Sequence, residues 1–173
     1  MNEVEERYNR TPMSKNPIVF LDIDGVLNSY GWWSRRTTME FPYREFDPVC
    51  LSRLSDLVEH VNADIVISSS WRKPDRPKES KREMIDLFAD VCRYWAINSS
   101  ISGRIADITP KLDAGRGMEV QHYLSDQPVT REYVILDDQN DFSPDQPLVQ
   151  TDSSVGLSFS DSLKALAILK ASN

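Results

Sequence analysis

Asp22 and Asp24 lie two residues apart at the end of an apolar run, Ile18-Val19-Phe20-Leu21, and Gly25 follows them. Such a run reads as a strand buried on both faces, and Gly25 permits a tight turn directly after it. Side chains at i and i+2 of an extended segment point the same way, so both carboxylates can address one point at the strand's C-terminal edge. Two carboxylates so placed can divide a phosphoryl transfer between them. Asp22, at the strand tip, can attack phosphorus and hold it as an acyl phosphate. Asp24 can protonate the leaving oxygen and later take a proton from water. A carboxylate and a phosphate monoester repel each other, so this chemistry calls for a hard cation ligated by oxygen, such as Mg²⁺. Its expected ligands are Asp22, the Asp24 backbone carbonyl and a carboxylate from another strand.

Two more apolar runs end in polar clusters. Ile65–Ile67 leads into Ser68-Ser69-Ser70-Trp71-Arg72, and Tyr133–Leu136 leads into Asp137-Asp138. Ser68, the first hydroxyl after its strand, can bond a phosphoryl oxygen together with nearby backbone N–H groups. Ser69 and Ser70 suit turn and cap positions, with Ser69 also a candidate substrate contact. Either Asp137 or Asp138 can supply the further carboxylate for the metal.

The elements that must position these residues follow from periodicity and punctuation. Asp47-Pro48 gives an N-cap and a proline at the first helical position, and Leu51, Leu54, Leu57, Val58 and Val61 give the helix its apolar stripe. A second helix is predicted from about Glu79 to Trp95, a third over Arg116–Ser125 and a fourth over Asp161–Ala171. Leu148–Gln150 suits a last strand. Asn98–Asp113 reads as a long connection, and Asn28–Phe46 as a flap with neither helical nor strand periodicity. Residues 1–16 are polar and read as an N-terminal arm, leaving 17–173 as one domain. Strands alternating with helices imply a doubly wound α/β fold, its sheet mostly parallel with helices on both faces. All three polar strand ends then lie at one edge, where ligands of open α/β sheets bind.

A formal charge of −7 and a pI near 4.9 argue against broad, non-specific attachment to nucleic acid. No window approaches the roughly 20 apolar residues of a membrane span, and the N-terminus has no apolar signal segment, so a cytoplasmic protein is expected. Cys50 and Cys92 lie among apolar residues without a metal-ligand spacing and read as reduced core thiols. His60 and His122 fall on helices away from the polar clusters and are expected to play no catalytic part.

The ordered set IVFLDIDGVLN, IVISSSW, a basic residue opening a helix, and YVILDD resembles the haloacid dehalogenase-like (HAD) phosphohydrolase superfamily. DGVLN, SSSWR, RGMEV and ILDDQNDF most resemble the small HAD domains of RNA-repair proteins and of polynucleotide kinase–phosphatases. The resemblance assigns Asp22 as nucleophile and Asp24 as general acid–base. It makes Asp138 the metal ligand, with Asp137 and Asp141 behind it. It also asks for a cation, usually Lys, beside the nucleophile; Arg116 takes that place here, and Lys111 is the alternative. Arg would grip phosphate as a planar fork where Lys is a point charge. The Asn28–Phe46 interval is too short for a folded cap and the second interval is largely accounted for by one helix and a loop, so an open site is expected. Trp32 or Trp33 could then stack on a base or simply cover the core, while Arg35, Arg36 and Arg72 contact phosphates. The implied activity is a Mg²⁺-dependent phosphomonoesterase acting on a nucleotide or a nucleic-acid end, with no membrane and no obligate protein partner. The rival reading is a non-catalytic HAD-like protein that binds and sequesters a phosphorylated nucleotide-type ligand.

Overall fold

In the computed structural model, which describes residues 14–35, 42–73, 75–97 and 101–170, the apolar runs form a five-stranded sheet. The strands are β1 (Ile18–Leu21), β2 (Asp64–Ile67), β3 (Ile105–Ile108), β4 (Tyr133–Asp137) and β5 (Leu148–Gln150). Every pairing is parallel and the order is β3-β2-β1-β4-β5. Two-sided burial explains why the runs are continuous rather than alternating. Val19, Leu21, Ile65, Ile67, Val134 and Leu136 face one core, and Ile18, Phe20, Val66 and Ile135 face the other.

The larger core is closed by α2 (Pro48–His60), α3 (Pro77–Tyr94), α4 (Ile101–Arg104) and α6 (Phe159–Lys170). Among the described residues only α5 (Arg116–Ser125) packs on the other face, placing Val120 and Tyr123 against Phe20. The chain moves outward from β1 to β2 and β3, then returns to add β4 and β5 on β1's other side. The reversal puts a topological switch point between β1 and β4, the crevice where ligands of such sheets bind. Asp22 leaves β1 there, and Asp137 and Asp138 close β4.

The start of α2 follows the sequence signal: the Asp47 carboxylate accepts the Val49 N–H at 2.8 Å, and Pro48 opens the helix. Helix α3 begins at Pro77, two residues before its expected start, because proline needs no donor in a first turn. Two expectations are corrected. The connection over 98–113 contains α4 and β3; the Asp107 side chain in β3 breaks the apolar run that marks the other strands. The interval 28–46 contains a short helix, α1 (Tyr30–Arg35), none of whose residues is buried, so it lacks an apolar stripe to announce it; Arg36 and Phe41 lie outside the described residues. Of the arm at 1–16, residues 1–13 also lie outside them. Asn16 is held against the fold, its amide donating to Asp64 at 3.1 Å and its carbonyl accepting from Arg131 at 2.7 Å. Cys50 and Cys92 are both buried, and burial pushes the Cys50 thiol up to about 12.

Phe46 joins the loop after α1 to the core. It is fully buried and meets Trp71 and Phe88 edge-on, at centroid distances of 5.5 and 5.7 Å. Phe46→Ala should lower the unfolding free energy by about 3–5 kcal/mol, read as a lower denaturant midpoint; a loss below about 1 kcal/mol would contradict this role.

Candidate active site

Asp22 is almost fully buried at the end of β1. Its Oδ1 accepts the Ile23 N–H at 2.8 Å, and its own N–H continues the ladder to Leu136 O at 3.0 Å. Asp137, the last residue of β4, is fully buried, with Oδ1 accepting the Gln139 N–H at 2.9 Å. Asp138 is half-exposed beside them, and ligand oxygens of Asp22, Asp137 and Asp138 all lie within 4.8 Å of one another. One Arg116 nitrogen bonds both buried acids, Asp22 Oδ2 and Asp137 Oδ2, the latter at 2.6 Å.

Burial raises the Asp22 carboxyl above the ordinary range, although Arg116, Ser69 and the Ile23 N–H pull it back. Asp137 is pushed up to about 6, first by burial and then by the neighbouring charge of Asp22, against the pull of Arg116. Burial would drive Arg116 down, but its bonds to Asp22 and the two negative charges hold it above its usual value. Three carboxylates against one guanidinium leave an excess of negative charge, and all the donors are hard oxygens. That set fits a hard divalent cation such as Mg²⁺ and offers nothing to a soft metal.

A compact turn follows β1. The N–H groups of Val26 and Leu27 both return to Ile23 O, and Gly25 takes φ +74°. A Cβ on Gly25 would come within 2.5 Å of the Asp138 carboxyl carbon, so glycine is required here by space as well as by backbone. The turn is pinned from outside by Thr151 Oγ1 to Gly25 O, the Leu157 N–H to Val26 O and the Asp47 N–H to Leu27 O, at 2.8–2.9 Å.

Asp24 is exposed beyond the turn, and its carboxylate is not one of the clustered three. It is nonetheless fixed: Asn28 Nδ2 and Trp71 Nε1 each donate to one of its oxygens at 2.9 Å. Neither donor was expected from the sequence. Asn28 also accepts the Gly25 N–H at 3.0 Å, so one amide sets both the turn and the carboxylate.

Ser68 is fully buried and its Oγ has no hydrogen-bond partner, in the loop that leaves β2 beside Asp22. A buried hydroxyl without a partner costs stability, and such groups are uncommon in folded proteins. Ser69 is also fully buried, and it turns toward protein groups: its Oγ accepts the Trp71 N–H at 3.3 Å and its hydroxyl bonds Asp22. Its burial and these bonds correct the expectation of a substrate contact.

Arg72 differs from the expected phosphate contact. It is 7% exposed and lines the cleft beside Arg116, but its guanidinium is turned inward, with backbone carbonyls and the buried Glu119 taking its N–H donors. Trp32 meets Trp95 edge-on at 6.0 Å and donates Nε1 to Arg44 O at 2.7 Å, so its ring covers the flap. Arg35 is exposed and donates Nε to Gly31 O at 3.0 Å within its own helix. Lys111 is exposed on the wall of a cleft of about 200 Å³ that Ser70, Arg72, Gly115, Arg116, Glu119 and Asp141 also line. Asp141 accepts the Arg116 N–H at 3.1 Å and caps α5 from outside, since Gly115 at the cap position has no side chain.

The family described as the HAD domain in Swiss Army Knife RNA repair proteins matches residues 18–161. The chain belongs to this family. No curated protein and no solved structure gives a significant match. The matched span contains all five strands and every residue of the carboxylate site.

The raised acids set a pH dependence. A carboxyl whose folded value exceeds its unfolded one binds more protons in the folded state, so its contribution falls as pH rises through the folded value. For Asp137 that window runs from its ordinary value of 3.8 to about 6. In metal-free buffer, Asp137→Asn should therefore gain on wild type between pH 4 and pH 7, by roughly 2 kcal/mol, or about 2–4 °C in Tm per kcal/mol. Paired thermal melts in EDTA test this; a Tm difference that is flat or shrinks with pH refutes it.

Proposed function

We propose that this HAD protein is a Mg²⁺-dependent phosphomonoesterase that works through an aspartyl-phosphate on Asp22. The observation that carries the reading is the convergence of Asp22, Asp137 and Asp138 within 4.8 Å at the switch-point edge, bridged by Arg116. Asp22, Asp137 and Asp138 would hold Mg²⁺, which supplies positive charge to offset the repulsion between the carboxylate nucleophile and the phosphate.

In the first half-reaction an Asp22 oxygen attacks phosphorus and the P–O bond to the leaving group breaks. Protonated Asp24 gives its proton to the departing oxygen. In the second half-reaction Asp24 takes a proton from water, which attacks the phosphorus; the acyl phosphate breaks, inorganic phosphate leaves and Asp22 is regenerated. Arg116 lies where it can share its charge between Asp22 and the equatorial oxygens of the phosphoryl group. The partnerless Ser68 hydroxyl is a further donor for those oxygens. Asn28 and Trp71 hold Asp24 in one orientation, which supports a defined acid–base role.

For substrate we infer a terminal phosphate on a nucleotide or a nucleic-acid end, in the cytoplasm. The matching family's description and the short intervals after β1 and β2, which hold no folded cap among the described residues, support it. Among those residues no helix is long and apolar enough to cross a membrane.

Asp22→Asn should abolish phosphate release from p-nitrophenyl phosphate while retaining the fold by circular dichroism. Asp24→Asn should slow turnover by about 10²-fold or more, as loss of a general acid–base does. Residual turnover near wild type in Asp22→Asn would sink the assignment. A panel of 3′- and 5′-phosphorylated oligonucleotides, mononucleotides and sugar phosphates tests the substrate class; a clear preference for sugar phosphates overturns it, and tight binding of intact ligand without turnover favours sequestration.

A further inference from the structure

Arg72 and Glu119 form a buried ion pair outside the reacting groups, each side chain only 5% exposed. A guanidinium has five N–H donors in a fixed planar fork, and here each has an acceptor. Nε donates to Thr109 O at 3.0 Å; Nη1 donates to Ser68 O at 2.8 Å and Ser69 O at 2.6 Å; Nη2 donates to Pro110 O at 3.3 Å and to Glu119 Oε2. The other Glu119 oxygen accepts the Leu112 N–H at 3.0 Å. Two side chains thus join the loop after β2, the loop after β3 and the first turns of α5.

Each segment carries something the site uses. The loop after β2 bears Ser68, and α5 bears Arg116 one turn before Glu119. The two segments belong to different crossovers of the sheet. Burying an ion pair is a poor route to stability, because desolvation consumes most of the attraction, whereas well-packed apolar groups can do as well. What the pair provides in addition is direction: a planar donor set with every direction occupied admits little freedom in the segments it joins.

We propose that Arg72 and Glu119 are positioning residues, which hold the Ser68 loop and the start of α5 in register so that Ser68 and Arg116 converge on one phosphoryl group. This rests on the phosphatase reading for its kinetic consequence but not for its structural one. Lys at position 72 would keep the charge while losing the planar fork. Gln at 119 would keep the shape while losing the charge.

The test compares wild type, Arg72→Lys, Glu119→Gln and Leu57→Ala, the last a buried core variant near the end of α2 that leads into the start of β2, at the sheet edge opposite the carboxylates, which lowers stability by packing alone. Two measurements are made well below each Tm: kcat and KM for p-nitrophenyl phosphate with saturating Mg²⁺, and the Arg116 guanidinium N–H signals in ¹⁵N NMR, assigned by their loss in Arg116→Lys. Arg72→Lys and Glu119→Gln should lower kcat at least tenfold, with a smaller change in KM, and should shift or broaden the Arg116 signals. Leu57→Ala should leave both as in wild type. If the two pair variants keep kcat within twofold and leave the Arg116 signals in place, the pair is a packing feature only and the proposal fails. Should Arg72→Lys not fold, Glu119→Gln decides alone. A wild-type protein without turnover would remove the phosphatase reading, and the NMR comparison would still decide the positioning role.

Discussion

Mutual repulsion among Asp22, Asp137 and Asp138 is the constraint around which the rest of the site is arranged. Two of the three are buried, which raises the cost of every uncompensated charge. The fold answers with backbone donors to Asp22 and Asp137, with one guanidinium shared between them, and with a half-exposed third carboxylate. These arrangements lessen the repulsion without removing it, and a region of unbalanced negative potential remains at the sheet edge. Clustered buried acids of this kind cost stability, a trade common where function needs groups that folding alone would not choose.

Much of this was legible in the sequence, for a definite reason. Parallel strands buried on both faces must be unbroken apolar runs, so β1, β2 and β4 announced themselves, and the polar residues that end them had to gather at one edge. The same logic failed for β3, where Asp107 interrupts the run, and for α1, which buries no residue and so carries no periodic stripe.

Side-chain direction was the less readable part. Arg72 follows three serines at a strand end, and its charge suggested a phosphate contact; nothing in the local sequence tells that its guanidinium folds back onto carbonyl groups. That choice is made by Glu119, 47 positions away. Trp71 is the opposite case, since an indole beside buried aromatics looks like packing, yet its N–H reaches Asp24. Arg116 was placed by the family resemblance, at the opening of the RGMEV helix and with Lys111 as the alternative; that it bonds both Asp22 and Asp137 is seen only in the structure.

The connection from β4 to β5, residues 138–147, contains no helix, unlike the other crossovers of the sheet. It is tied instead to α5: Asp141 takes the Arg116 N–H, its carbonyl takes the Gly117 N–H, and Gln146 donates to Gly117 O and accepts from Ser143. A segment held to a helix by such bonds opens together with that helix end or not at all, as one small cooperative unit in the sense of local unfolding. Asp138 and Arg116 therefore belong to the same unit. A fluctuation that freed the connector would withdraw a carboxylate and the shared guanidinium at one stroke, leaving Asp22 in place at the end of the central strand, so the cluster would come apart by detaching its neighbours from a stationary carboxylate.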